Sequence, residues 1–157
     1  MAGATKLMRS IPSSAVTVIV GGSGGGTATA LSGTSITTGV LATGAIESGS
    51  VSLAKALTVF GATVGTPARI RLYSTAAARD ADVNRSNMVP VTPGSQHGMI
   101  LDLYLNTSDK FTWVMSPPAQ GFNADAVQTA TIYYSITNLS TSLRAITATL
   151  TYLPQEN

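Results

Sequence analysis

Thr131-Ile132-Tyr133-Tyr134-Ser135-Ile136-Thr137 and Ile146-Thr147-Ala148-Thr149-Leu150-Thr151-Tyr152 decide the fold of this chain. In the first stretch Ile132, Tyr134 and Ile136 share one face, with Thr131, Tyr133, Ser135 and Thr137 on the other. In the second, Ile146, Ala148, Leu150 and Tyr152 alternate with Thr147, Thr149 and Thr151. Side chains on a strand point alternately to opposite faces, so this period of two marks strands with one buried side. A polar Asn/Ser/Thr loop at residues 138–142 separates them, which predicts an antiparallel hairpin over residues 129–153.

The same grammar runs upstream. Residues 51–60 read as a strand whose apolar face Lys55 interrupts, and residues 68–73 as another. In the latter, Ile70 and Leu72 face inward and Arg69, Arg71 and Tyr73 face outward. Residues 98–105 put Met99, Leu101, Leu103 and Leu105 on one face, the clearest core strand. Residues 111–115 form a strand that Pro117 and Pro118 stop, leaving residues 116–128 as a long loop. A single helical turn is expected within residues 74–84, where Ala76-Ala77-Ala78-Arg79 favours helix, and residues 89–96 read as a loop. Short strands with turn signals at this spacing predict an all-β, antiparallel β-sandwich of jelly-roll-like form.

The first residues have a different texture. Residues 14–20 read as a strand that enters Gly21-Gly22-Ser23-Gly24-Gly25-Gly26, and Gly39, Gly44 and Gly49 recur among small and β-branched residues. Residues 1–46 are therefore expected to form an extended glycine-rich N-terminal arm for attachment or subunit exchange, and residues 47–157 the sandwich domain. Lys6, Arg9 and Ala28-Thr29-Ala30 loosely resemble a signal peptide, but the apolar run between them is too short for one. The expectation is a soluble, unprocessed chain.

Composition narrows the function. Ala, Gly, Ser and Thr supply 75 of the 157 residues and only 16 residues are charged, a mixture suited to strands packed against other protein. The net charge of +2 is scattered, which argues against a nucleic-acid partner. Without cysteine there are neither disulfides nor thiolate metal sites, and no apolar stretch approaches a membrane span.

The chemical motifs fail on their requirements. The strand before the glycines at 21–26 is followed by Thr, Ser and Gly rather than a helix, so a dinucleotide site is not supported. Asp80, Asp82 and Asn84 alternate like early calcium ligands, yet Arg85 and Val91 occupy the positions that need Gly and Glu. A polar turn in which Arg79 and Arg85 pair with the aspartates fits better. His97 is the only histidine and could be grouped with Ser95 or Asp102, but no nucleophile elbow accompanies it. No catalytic residue, cofactor or metal ligand is expected, and the protein is read as a non-enzyme. Tyr73, Tyr104, Trp113 and Tyr133 are the candidate contact residues, read first as subunit contacts, second as core packing and third as glycan contacts, because an aromatic body with a polar tip suits half-dry surfaces.

Residues 67–82, from Pro67-Ala68-Arg69-Ile70-Arg71-Leu72-Tyr73 through Asp80-Ala81-Asp82, carry a resemblance, together with His97-Gly98-Met99-Ile100-Leu101-Asp102, Ser116-Pro117-Pro118-Ala119-Gln120-Gly121 and the closing strands. Over about residues 50–157 the chain resembles β-sandwich modules of tailed-bacteriophage virion proteins. The resemblance implies a virion location and a capsid decoration or cement protein. Its partners would be the major capsid protein or a tail component, and the chain would be a homo-oligomer, with a trimer favoured. The alternative is a tail-fibre or tail-tip adhesion module that binds host-surface glycans. Neither nucleic acid nor membrane is an expected partner.

Overall fold

The computed structural model describes residues 30–86, 89, 91, 98–106 and 111–156. Eight strands and one helix occur among them: β1 (Ser32–Thr37), β2 (Ile46–Ser52), β3 (Ala56–Val64), β4 (Ala68–Tyr73), α1 (Ala76–Asp82), β5 (Met99–Leu105), β6 (Thr112–Phe122), β7 (Thr131–Asn138) and β8 (Thr147–Glu156). They make two four-stranded antiparallel sheets, ordered β1-β8-β3-β6 and β2-β7-β4-β5. Within these orders β1 neighbours β8, β2 neighbours β7, β3 neighbours β6 and β4 neighbours β5. The chain is thus one long hairpin, its first four strands matched to its last four in reverse, wrapped into a sandwich. That arrangement is the jelly roll.

The closing strands bury the faces their alternation indicates, but they do not pair. β7 hydrogen-bonds to β2 and β4, and β8 to β1 and β3, so the two lie in opposite sheets. Alternation marks a buried face and is silent about which strand lies alongside. Ile132, Tyr134 and Ile136 enter the same core as Ala148, Leu150 and Tyr152 from the other sheet. The crossing loop is held by Asn138, whose Nδ2 donates to the carbonyls of Leu41 (2.8 Å) and Ser142 (2.9 Å), while its Oδ1 accepts from Ser140 N and Oγ.

Three other boundaries differ from the expected ones. The sandwich begins upstream of residue 47: β1 is laddered to β8 from Ser32↔Tyr152 to Thr37↔Thr147, so residues 32–46 belong to the sandwich. Of the expected arm, residues 1–29, with the strand at 14–20, the glycine run and the cleavage-like Ala28-Thr29, lie outside the described residues. The single strand at residues 51–60 is two, since β2 ends at Ser52 and β3 starts at Ala56. Lys55 sits in the connection, where its backbone is pinned by Glu156 O and Asn123 N at 2.8 Å each.

Finally, β6 runs through Pro117 and Pro118 instead of stopping there. Its partner β3 is a middle strand, but β6 itself is an edge, so its prolines withdraw no hydrogen bond that a second neighbour needs. Val114 pairs with Gly61 and Ala119 with Val59, so residues 115–118 bulge out opposite Phe60 alone.

The helical turn is present as α1, begun by Thr75, whose Oγ1 accepts from Ala78 N at 3.1 Å. It lies on the outer side of β4, and this explains a further departure. All six residues of β4 are buried, not only Ile70 and Leu72.

Candidate interaction surface

The two outer faces of the sandwich have opposite chemistry. On the β2-β7-β4-β5 side, Arg69, Arg71 and Tyr73 project outward and are roofed by α1 and the residues after it. Asp102 of β5 takes a bidentate pair from Arg69, Nε at 2.8 Å and Nη2 at 2.6 Å, and a third bond from Arg85 Nη2 at 2.7 Å. Asp82 accepts from Arg85 Nε at 2.6 Å, Arg71 Nη1 at 3.1 Å and Tyr73 OH at 2.7 Å. Arg71 is wholly buried and also donates to the carbonyls of Asp82 (2.8 Å) and Val83 (3.1 Å). Among the described residues its Nε is the one buried side-chain polar atom with no hydrogen-bond partner.

Burial tends to raise the pKa of both aspartates, but their arginine partners outweigh it. The bonds from Arg85 and Tyr73, with the charges of Arg85 and Arg71, hold Asp82 below its ordinary value. Arg69 and Arg85 do the same for Asp102. Burial pushes Tyr73 up to about 12; the bond to Asp82 adds to this and the contact with Ser135 opposes it. The Asp82 bond to Arg85 raises that arginine further still. Guanidinium, carboxylate and phenol are spent on one another, so this network is a clamp that fastens α1 to the sheet. The expected pairing of Arg79 with Asp80 and Arg85 with Asp82 is present at 2.8 Å and 2.6 Å.

The outer face of β1-β8-β3-β6 has no such roof among the described residues. In these four strands the only charged residue is Glu156, at the end of β8. Across the sheet the register lines up Ser35, Thr149, Thr63 and Thr112 in one row, and Gly33, Thr151, Gly61 and Val114 in the next. Hydroxyls of neighbouring strands bond each other: Ser35 with Thr149 at 2.8 Å, Thr37 with Thr147 at 3.0 Å, Thr63 with Thr112 at 3.1 Å. Beside them Val114 is 77% exposed. A face with no charge to desolvate and three cross-strand pairs of hydroxyls already made loses little when water leaves it, which is the property of a contact surface.

The four aromatic candidates are not gathered at one place. Tyr73 is entirely buried beneath the clamp and offers nothing to a partner. Tyr104 stands exposed on β5, on the same face as its register neighbour Arg69. Trp113 is exposed at the rim of β6, paired with Ala62. Tyr133 donates to Asp125 at 2.8 Å, which raises its pKa, and its ring lies 5.6 Å beneath the Arg79 guanidinium. His97 and Ser95 lie outside the described residues, and no cluster of metal-ligating side chains occurs among those described. The surface residues that sequence reading missed are Val114, Gln120, Phe122 and Gln155. Their signal was the near absence of charge from four strands, Glu156 at the end of β8 excepted, legible only once those strands are known to share a sheet. No protein-family model matches the chain, and no curated protein matches it significantly.

Proposed function

We propose that this chain is a non-enzymatic structural protein of a bacteriophage virion, a capsid decoration or cement protein bound to the particle as a homo-oligomer, with a trimer favoured. The observation that carries the reading is the uncharged face of β1-β8-β3-β6 with its paired hydroxyls, opposite a face that is clamped shut. Such asymmetry suits a tile that sits flat on protein. The jelly roll supports it by analogy, being common in viral capsid proteins, although folds host many functions. The sequence resemblance to virion modules points the same way. A tail-fibre or tail-tip adhesion module is the second reading, favoured by exposed Tyr104 and Trp113.

Antibody labelling of intact particles under the electron microscope tests the location. A repeating array over the capsid is expected; label at the tail tip alone would transfer the function to the second reading, and particles without label would refute both. Thr149→Lys places a charge at the centre of the hydroxyl row. It is expected to fold normally, within about 0.5 kcal/mol of the parent apart from its lost hydroxyl bond, yet to lose particle binding.

A further inference from the structure

The uncharged sheet face has a second feature at its other end, beyond the bulge at Phe60. Thr58, Gln120, Gly121, Phe122 and Gln155 surround an open groove of about 410 Å³. That volume lies at the small end of ligand clefts, roughly 300–1,000 Å³. Thr58 and Gln120 are register partners on β3 and β6, Phe122 lies two residues beyond Gln120 on the same side, and Gln155 comes from β8. The floor is built. At Gly121 an added Cβ would stand 2.6 Å from Ile100, so the missing side chain lets the core press up beneath the groove. Gln155 Nε2 donates to Thr58 Oγ1 at 3.3 Å, which orients that amide along the wall.

We propose that this groove binds a neutral saccharide. None of its lining residues is charged, so a phosphate, carboxylate or ammonium ligand finds no counter-charge there. Phe122 is 53% exposed on a strand, an arrangement that presents an aromatic ring to the groove's mouth. A ring face carries partial negative charge, which attracts the polarised C–H bonds on the flat side of a sugar. Around it, two primary amides and a hydroxyl supply both donors and acceptors, the mixture that ring hydroxyls need. The groove and the hydroxyl rows occupy opposite ends of the sheet, so the proposal does not rest on attachment to a capsid. It also differs from the aromatic candidates of the second reading, since neither Tyr104 nor Trp113 lines it.

Saturation-transfer NMR on the full chain, with glucose, galactose, mannose, N-acetylglucosamine, maltose and lactose at millimolar concentration, tests this directly. At least one of these sugars is expected to receive saturation, strongest at its ring C–H protons. Phe122→Ala and Gln120→Ala should each weaken binding about tenfold or more, while Phe122→Tyr retains it. Both truncated side chains are at the surface, and matching thermal melts will show the variants folded. Asp80→Ala, an exposed change on α1 over the other sheet, should leave binding unchanged. The proposal is overturned if none of the sugars receives saturation, or if the signal survives both truncations. It is equally overturned if the truncations change the oligomeric mass and no sugar signal exists, in which case the groove is a protein contact.

Discussion

Replacing Asp82 by alanine should be among the most damaging single changes outside the apolar core. Asp82 serves Arg71, Arg85 and Tyr73 together, and its loss leaves the buried Arg71 guanidinium with backbone carbonyls as its remaining partners. Breaking a buried ion pair by deleting one side destabilises by about 3–5 kcal/mol. Because the Asp82 side chain is 16% exposed and two carbonyl bonds survive, the lower end applies, about 3 kcal/mol. With a urea slope of about 2 kcal/mol per molar, the unfolding midpoint should fall by about 1.5 M. The internal control is two residues away. Asp80 also pairs with an arginine, but its side chain is 64% exposed, so Asp80→Ala should move the midpoint by no more than about 0.3 M. A second arm removes the stranded charge: Arg71→Met combined with Asp82→Ala should be less destabilised than the sum of the two single variants. Equal midpoints for Asp82→Ala and the parent would refute the clamp. Strict additivity in the double variant would refute the argument that an uncompensated buried charge causes the loss.

Stability should depend on pH at both ends of the scale. Asp82 and Asp102 are held below the ordinary carboxylate value of 3.8, so their contribution is present above that value and is lost as pH falls through their folded values. Urea midpoints measured downward from neutrality should therefore drop below about pH 4, and less steeply in Asp102→Asn. Tyr73 is raised from 10.0 to about 12, so its contribution is present below pH 10 and is lost as pH rises through about 12; Tyr73→Phe should flatten that alkaline loss. Two glycines should respond differently to alanine. At Gly61 the new Cβ would lie 2.5 Å from the Trp113 carbonyl oxygen, a backbone atom, so Gly61→Ala should destabilise by about 1–3 kcal/mol in thermal melts whatever else is changed. At Gly121 the obstacle is the Ile100 side chain, and Ile100→Ala should relieve part of the penalty of Gly121→Ala.

The sequence by itself determined which residues face inward. Alternation in β4, β7 and β8, and in β5 from Leu101 to Leu105, follows directly from the pleat, and a poor supply of charge excluded a chain that is solvated on all sides. Met99, expected to face inward, does not: a bulge opposite Tyr73 turns it outward to Arg85 and sets Ile100 against the core instead. The sequence also located the helical turn, through Ala76-Ala77-Ala78-Arg79; the Thr75 cap that starts it is seen only in the structure. Tertiary structure decided everything that depends on a neighbour. Pairing of β7 with β2 and β4 rather than with β8 comes from wrapping the whole chain, and a period of two contains no such instruction. Pro117 and Pro118 stop a central strand but are tolerated in β6, because an edge strand needs no hydrogen bond on its open side. Arg69, Arg71 and Tyr73 have the spacing of a solvent face, and they do point outward. Only the roof of α1, with Asp82 and Asp102 to compensate their charge, makes that outward face a buried one. The uncharged face is the counterpart: four strands, distant in the chain and each short of charge, become a surface only because the jelly roll lays them side by side.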